Sequence, residues 1–157
     1  MSNIDTQNAI ATDSANNVYV SSDNHIFKFT GDGQLITSWG SNGSGNGQFN
    51  QIVGIATDSA NNVYVTDAFN IRVEKFTSDG NFIKSWGGTS NCHGFKEFCS
   101  GPQGIATDSS NNVYVTEYNA GRVSKFTSDG SLVTGWDLPQ AFGIVVDRQG
   151  NVYISTR

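Results

Sequence analysis

The chain has 157 residues, 18 of them glycine, and a formal net charge of −5. With only 9 lysines and arginines it lacks the basic clusters that phosphate-backbone binding requires, so nucleic acid is not an expected partner. It has no apolar run long enough to cross a bilayer and no basic segment followed by an apolar stretch at its start, so we expect neither a membrane span nor a signal peptide in this chain.

The first feature along the chain is a segment that recurs. IATDSANNVYV occupies residues 10–20 and returns unchanged at 55–65, and IATDSSNNVYV occupies 105–115. The aspartate in this segment, with a fourth counterpart near the C-terminus, marks units of about 40 to 50 residues, a length that fits one four-stranded propeller blade. These aspartates are Asp13, Asp58, Asp108 and Asp147.

Each unit contains four short runs that are rich in β-branched and aromatic residues. In residues 54–87 the runs are GIATD, NVYVTD, RVEKF and NFIKSWG, separated by Asp, Asn, Ser and Gly, which favour turns. Asp79-Gly80 is a strong hairpin signal between the third and fourth runs. Because no window shows helical spacing, we predict an all-β protein of four-stranded antiparallel units.

Large aromatic residues recur at fixed places in the units. A tyrosine on the second strand points to the opposite face from its valine neighbours, so both faces of each sheet must be covered. A tryptophan on the fourth strand is placed to seal the joint between adjacent sheets. We interpret these rings as core and not as a stacking platform for bases. They are Tyr19, Tyr64, Tyr114, Tyr153, Trp39, Trp86 and Trp136.

Two segments resemble NHL repeats. GIATDSANNVYVTDAFNIRVEKFTSDGNFIKSWG (54–87) and GIATDSSNNVYVTEYNAGRVSKFTSDGSLVTGW (104–136) both carry a Gly-Ile-Ala-x-Asp strand, a Val-Tyr-Val strand and an Arg-Val-x-Lys-Phe strand. The resemblance implies a β-propeller, normally closed by six blades. The first unit departs from the pattern because it is two residues shorter and lacks the Asp and the Arg, and the third has Glu117 and Ala120 where Asp and Asn are usual.

The whole chain, residues 1–157, is predicted to be one propeller segment, and its blade count is incomplete. Blades are expected at about 10–40, 54–87 and 104–137, with a half blade at 142–157. About three and a half blades cannot close a ring, so the end blades would each leave an apolar face bare. Two ways of covering these faces stay open: a homodimer that closes a six- or seven-bladed ring, or the remaining blades of a longer chain.

The connections divide into two kinds. Those after the first and third strands hardly change between units, whereas those after the second and fourth strands change a great deal. Alternate connections of an antiparallel sheet lie at the same end, so the variable loops are expected to gather on one face, where repeat proteins bind partners. The candidate binding residues on this variable-loop face are Phe69, Ile71, Arg72, Phe95, Tyr118 and Arg122.

Each candidate on the variable-loop face also has a purely structural interpretation. The apolar side chains could pack under neighbouring loops. For Arg72 we favour the structural role, in which it fixes the joint between blades by bonding a carboxylate or loop carbonyls.

The two cysteines lie in the longest connection. Cys92 and Cys99 are close enough in sequence to form a small disulfide loop, which would stabilise it by roughly 2–3 kcal/mol and would indicate an oxidising compartment and an extracellular parent. Free thiols are the alternative. A zinc site is not expected, because the Cys-x6-Cys spacing with His93 does not match known zinc motifs.

The unit aspartates admit two interpretations. They could ring a channel and hold a cation, or each carboxylate could accept backbone N–H groups of the turn that follows. We favour the turn, because turn residues follow each aspartate. No metal or cofactor is therefore predicted.

Propellers similar to NHL proteins include lyases and lactonases, whose metals need several histidines or carboxylates near the axis. This chain has only His25 and His93, in loops of different units, and no catalytic triad can be written from it. We therefore predict a non-catalytic scaffold that binds a protein or glycan on the variable-loop face, or another propeller chain. The alternative is a fragment of a lyase- or lactonase-like enzyme.

Overall fold

The computed structural model describes residues 8–88 and 98–157, and in these residues it contains fourteen β-strands and no helix. No segment within these ranges is a helix of the length and apolar character needed to span a bilayer. The strands are β1 (Ile10–Thr12), β2 (Val18–Ser22), β3 (His25–Phe29), β4 (Leu35–Trp39), β5 (Ile52–Thr57), β6 (Val63–Asp67), β7 (Arg72–Phe76), β8 (Phe82–Gly87), β9 (Ile105–Thr107), β10 (Val113–Glu117), β11 (Arg122–Phe126), β12 (Leu132–Asp137), β13 (Ala141–Val146) and β14 (Val152–Thr156).

The strands pair in chain order into separate antiparallel sheets. β1–β4, β5–β8 and β9–β12 are four-stranded and are called here the first, second and third blades; β13 and β14 form a two-stranded sheet, the half blade. In each four-stranded sheet the register shifts between the third and fourth strands, at a Lys-Phe pair such as Lys75-Phe76. The predicted all-β, four-stranded antiparallel unit is thus confirmed for three units.

The sheets stand side by side with their first strands in contact. β1 packs against β5, β5 against β9, and β9 against β13. The face of a sheet on the side of the preceding sheet is called here its leading face, and the face on the side of the following sheet its trailing face. This is the arrangement of successive propeller blades around an axis lined by first strands.

The core is divided among the interfaces between sheets. Between the first and second blades, Tyr19 and Ile26 of one trailing face pack with Val63 and Phe76 of the next leading face, all of them buried. The second and third interfaces repeat this with the corresponding residues. Each sheet is thus covered on both faces wherever it has two neighbours, as the recurring tyrosines predict.

The fourth-strand tryptophans close the outer part of each interface. The ring centroid of Trp39 lies 5.8 Å from that of Phe76 in the next blade, and Trp86 lies at the same 5.8 Å from Phe126. Trp39 rests directly on the Asp-Gly turn of the second blade, where a Cβ at Gly80 would lie 2.5 Å from the indole. The predicted sealing role is therefore confirmed for Trp39 and Trp86, at the first two of the three interfaces.

Polar contacts at the interfaces explain why the repeat is so nearly identical. Asn61 has a φ of +62°, which its turn requires, and its side-chain oxygen also accepts hydrogen bonds from the backbone N–H and the hydroxyl of Ser14 in the preceding blade. Asn111 repeats both roles with Ser59. Each asparagine thus stabilises its own turn and also the interface with the preceding blade. Few other residues could do both.

The two end sheets each carry one uncovered face. Ile10 is 69% exposed, whereas Ile55, at the same position in the second blade, is 6% exposed. On the half blade, Tyr153 is 57% exposed although its counterpart Tyr64 is fully buried. The apolar pattern is therefore the same on covered and uncovered faces, and only the presence of a neighbouring sheet differs.

Candidate functional site

The connections after second and fourth strands meet on one face of the described structure. Asn70, in the loop between β6 and β7, donates its side-chain amide to the backbone oxygen of Gly43, in the connection between β4 and β5, at 2.8 Å. The backbone N–H of Ala68 likewise bonds the oxygen of Gln51. These contacts place the two kinds of variable loop together, on the variable-loop face.

Arg72 holds these two loops to each other. Its guanidinium donates to the backbone oxygens of Ser44, Gly45 and Gln48 at 2.6–2.9 Å, and Nε donates to Asp67 at 3.2 Å. Arg72 is buried, so its donors are directed at protein oxygens and not at solvent. This is the structural role that the sequence favours for it, at the joint between two blades.

Two buried carboxylates balance the charge of Arg72. Asp67 also accepts the backbone N–H groups of Asn50 and Gln51, and Glu74 lies 2.5 Å from an Arg72 nitrogen and accepts the N–H of Gly47. Burial raises the pKa of the Glu74 carboxyl above its ordinary value; the Gly47 hydrogen bond and the Arg72 charge only partly offset this. The loop base is therefore a buried polar network, in which Glu74 Oε1 is held by the charge of Arg72 and makes no hydrogen bond to a described residue.

The third blade repeats this base with a different acid. Glu117 accepts Nε of Arg122 at 2.5 Å and the backbone N–H groups of Cys99 and Ser100 at 2.7 and 3.2 Å. Glu117 and Arg122 are both buried. The longer side chain thus does at Glu117 what Asp67 does in the second blade, which accounts for this departure from the family pattern.

Phe69 is the most exposed aromatic side chain among the sequence candidates that the structure describes. It is 66% exposed at the tip of the loop between β6 and β7, whose base is held by Asp67 and Arg72. It lines two clefts, with volumes of about 280 and 410 Å³. The first is lined by Gln51, Ala68, Phe69, Ile71, Gly101, Gln103 and Asn119, and the second by Ser44, Phe69, Asn70, Ile71, Arg72 and Gly88.

Ile71 borders both clefts in a strained conformation. Its φ is +57°, in the left-handed region that a β-branched residue avoids, and Gly121 has φ +63° at the same position of the third blade. The conformation is held because the Ile71 side chain packs against the core between the second and third blades and its carbonyl accepts the N–H of Gly88 at 2.7 Å. Such strain often accompanies functional loops.

The remaining sequence candidates are placed differently. The ring of Tyr118 is half-buried and meets Phe142 edge-on at 6.1 Å, so it packs against the first strand of the half blade, β13. Phe95 and Cys92 lie outside the described residues, and the Cys92–Cys99 disulfide stays a prediction; Cys99 itself is half-buried. The structure therefore brings Phe69, Ile71 and Arg72 together, with Tyr118 and Arg122 on the loop of the next blade.

Sequence reasoning missed the amides that line the first cleft. Gln51 and Gln103 each stand just before the first strand of a blade, and Asn119 lies on the variable loop of the third blade. The recurrence of glutamine before first strands, seen again at Gln140, is a signal that could have identified two of them. Only the packing of adjacent blades brings them to one cleft.

The unit aspartates serve the turns that follow them, as the sequence favours. Asp13 accepts the backbone N–H groups of Ala15 and Asn17 at 3.0 and 2.9 Å, and the hydroxyl of Tyr19 at 2.9 Å. Asp58, Asp108 and Asp147 repeat the pattern. Among the described residues, no three His, Cys, Asp or Glu side chains come together as a metal site.

These hydrogen bonds predict how stability depends on pH. Burial raises the pKa of Asp13 and Asp108, but hydrogen bonds from Asn17 and Asn112, and others, outweigh it and hold both pKa values below 3.8. Their contribution is therefore complete above about pH 4 and is lost as pH falls through the lower folded-state pKa values. We expect the free energy of unfolding, measured by urea denaturation, to fall between about pH 4 and pH 2.

Glu74 contributes with the opposite sign, which supplies an internal check. Its pKa is raised in the folded state, so as pH falls the folded protein takes up this proton before the unfolded chain does, and the stability gained is complete below about pH 4.5, the ordinary pKa of the group. Glu74→Gln should therefore remove a rise in stability as pH falls towards about pH 4.5 and leave the slope below about pH 4 unchanged, whereas Asp13→Asn should make the decline below about pH 4 shallower. If neither substitution changes how the free energy of unfolding depends on pH, these pKa assignments are contradicted.

Solved structures match the fold over nearly the whole chain. A streptogramin B lyase has a TM-score of 0.73 with 17% identity, covering 99% of this chain and 50% of the lyase. Virginiamycin B lyase from Staphylococcus aureus has 0.73 with 16%, covering 99% and 51%. A protein of unknown function from Bacteroides caccae has 0.67 with 14%, covering 94% and 52%.

These likenesses support the β-propeller fold, and the chain spans about half the length of the structures it matches. No curated protein sequence matches it significantly. The family model described as "SMP-30/Gluconolactonase/LRE-like region" matches residues 53–156, from the second blade to the half blade. Since that match takes in well over half of the sequence, the chain belongs to the SMP-30/gluconolactonase/LRE-like family.

Proposed function

We propose that this chain is a ligand-binding segment of a β-propeller, with blades of the NHL type, and that its variable-loop face holds the ligand. The observation that carries the proposal is the pair of clefts that Phe69 lines. An aromatic ring that is two-thirds exposed gains by being covered, and its loop is already held in place by Arg72 and Asp67. A ligand would therefore pay little ordering entropy there.

The proposed role of this face is binding and not catalysis. Neither cleft is lined, among the described residues, by a histidine or a carboxylate that could serve as a general base. Arg72, the cation among the described lining residues, has its donors engaged by loop oxygens. The clefts offer shape, amides and an aromatic ring, which suit recognition of a protein or glycan.

A second candidate function is favoured by the comparisons. The family match and the likeness to streptogramin B and virginiamycin B lyases fit a lactonase- or lyase-like enzyme of which this chain is one segment. In that case the Phe69 clefts would hold part of the substrate, and reactive groups would come from outside the described residues. The first function predicts that the chain binds ligands without converting them, and the second predicts that it converts a substrate to product.

Two measurements on the same protein separate these functions. Binding on the variable-loop face predicts that hits from a fragment library shift the ¹H–¹³C NMR signals of Phe69 and Ile71. Hits that leave those signals unmoved would overturn the proposal. Turnover of glucono-1,5-lactone or virginiamycin B by the chain, lost with EDTA, would establish the enzyme instead.

A further propeller chain is proposed to cover the end faces. The leading face of the first blade carries Ile10, Val18, Val20, Phe27, Phe29 and Leu35, each of them half-buried or exposed. The interfaces within the chain show what such a face accepts: a tyrosine, a lysine and a tryptophan from successive strands, as from Tyr19, Lys28 and Trp39. A covering sheet would come from another copy of this chain or from further blades of a longer one.

Leu35→Asp tests self-association. Leu35 is 58% exposed, but its counterparts Phe82 and Leu132 pack into the interfaces, so a charge there should block a neighbouring sheet. If copies associate, light scattering at micromolar concentration should show a mass above 16.8 kDa that falls to the monomer mass in the variant.

Ile36→Asp is the matched control. Ile36 is 46% exposed, and its counterparts Ile83 and Val133 stay exposed in covered blades, so this substitution should leave the mass unchanged. A monomer in the unsubstituted protein would exclude self-association and leave further blades of a longer chain as the cover.

A further inference from the structure

Resting on the proposed function, we infer that the clefts beside Phe69 take a neutral oligosaccharide, with one sugar ring stacked on Phe69 and the chain continuing from one cleft into the other. The inference joins four properties of the described lining residues: no uncompensated charge, unengaged side-chain amides, an exposed aromatic ring, and paired backbone groups at two glutamines.

The charge of the described lining residues disfavours an ionic ligand. None of the described residues lining the first cleft is charged. At the second cleft the only charged lining residue described is Arg72, which is paired with Asp67 and Glu74 and bonded to three carbonyl oxygens. A phosphate, carboxylate or ammonium group would find no free counter-ion among the described lining residues, and its desolvation would go uncompensated by them. The described lining therefore favours an uncharged ligand.

The side-chain amides at the first cleft favour a ligand that both donates and accepts hydrogen bonds. Gln51 and Asn119 line the first cleft, and their side-chain amides make no hydrogen bond to any residue that the structure describes. Gln103 is bonded only weakly, through Nε2 to the backbone oxygen of Gly101 at 3.2 Å. Each amide offers two donors and an acceptor, which match the hydroxyl groups of a sugar, since a hydroxyl also does both.

Phe69 supplies the apolar half of the site. A pyranose ring has one face of C–H groups, and an aromatic ring is a flat surface on which that face can be buried without leaving a polar group unpaired. Because both clefts are lined by Phe69 and Ile71 and are therefore adjacent, a linear saccharide stacked on Phe69 would reach both. The smaller volume, about 280 Å³, is at the lower end for ligand pockets and suits a single ring.

A peptide is disfavoured because the backbone of the two glutamines that line the first cleft is already paired. Gln103 donates its N–H to the oxygen of Thr116 and its oxygen accepts the Thr66 hydroxyl at 2.9 Å. Gln51 donates its N–H to Asp67 and its oxygen accepts the N–H of Ala68. No sheet edge is therefore open at these positions for an extended peptide to extend, and side-chain amides are left as the contacts.

The test is NMR titration of the isotope-labelled chain with cellohexaose, mannohexaose, xylohexaose and chitohexaose, followed by calorimetry with the best binder. We expect at least one of them to shift the signals of the Phe69 ring and of the Gln51 and Asn119 side-chain amides. Phe69→Ala should weaken that binding by about tenfold, the loss expected for one stacked ring. Ile83→Ala, also an exposed apolar residue of the second blade, should leave it unchanged.

Each outcome decides the inference. If no saccharide shifts these signals while uncharged or charged fragments do, the face binds ligands but not glycans, so the inference fails and the proposed function stands. If a saccharide binds equally well after Phe69→Ala, its site is elsewhere and the inference fails. If neither saccharides nor fragments bind, both fail. Phe69 is exposed, so a thermal melt unchanged by the substitution will confirm that the variant is folded.

Discussion

Replacing Phe76 with alanine is expected to lower the free energy of unfolding by about 3–5 kcal/mol. Phe76 is fully buried at the first interface, where its ring meets Trp39 at 5.8 Å, Phe49 at 5.8 Å and Phe82 at 6.0 Å. Truncation would leave a cavity between two sheets, and rigid sheets cannot easily collapse into it. Urea denaturation followed by tryptophan fluorescence measures the loss, because Trp39 lies at the site.

The first blade contains the matched control. Phe29 stands at the same position of its sheet as Phe76 but is only half-buried, because no sheet covers the leading face of the first blade. Phe29→Ala should therefore cost clearly less than Phe76→Ala. Equal losses at the two positions would show that Phe29 is covered in solution, which would support association through this face.

Arg72→Ala is expected to cost a similar amount, about 3–5 kcal/mol, for an electrostatic reason. The substitution leaves the buried carboxylates of Asp67 and Glu74 without their cation and the oxygens of three loop residues without a donor. Against a typical domain stability of about 5–15 kcal/mol this is a large fraction. The measurement is the shift in the midpoint of urea denaturation, taken together with an unchanged dependence of the free energy of unfolding on urea concentration.

Two further variants test the explanation. Arg72→Lys keeps the charge but loses the planar guanidinium that reaches Ser44, Gly45 and Gln48. Its free energy of unfolding should therefore lie between that of the native protein and that of Arg72→Ala. Arg148→Ala removes an exposed arginine of the half blade and should change stability by no more than about 0.5 kcal/mol. A loss below about 1 kcal/mol for Arg72→Ala would contradict the buried-network interpretation.

Together these variants connect the fold to the proposed site. Phe76 lies within an interface between blades, whereas Arg72 holds the variable loops above it. Because Phe69 extends from the loop that Arg72 fixes, we expect any ligand bound beside Phe69 to be affected by Arg72→Lys even where the blades remain folded. The uncovered faces of the first blade and the half blade, in contrast, are proposed to pack against further blades and not to bind the ligand.

The sequence by itself determined the units, their strands and the identity of the core. This was possible because each requirement is local and repeated: an asparagine such as Asn61 at a positive φ, an aspartate such as Asp58 bonding its own turn, and a tyrosine such as Tyr64 two positions into the next strand. Local rules that recur three times leave an unmistakable pattern. For the same reason the structural role of Arg72 could be anticipated from its place in the repeat.

Only the tertiary structure decided which residues form the candidate site. Gln51, Phe69, Gln103 and Asn119 come from four different connections, and their separation in the chain gives no sign that they share a cleft. They meet because two blades pack side by side, and that geometry is set by buried interfaces that lie beneath the loops. The bases of the variable loops repeat an acid and an arginine, but their tips, such as Phe69 and Asn119, do not repeat. The contacts of the tips therefore cannot be deduced from a pattern and depend on the packing of the blades that support them.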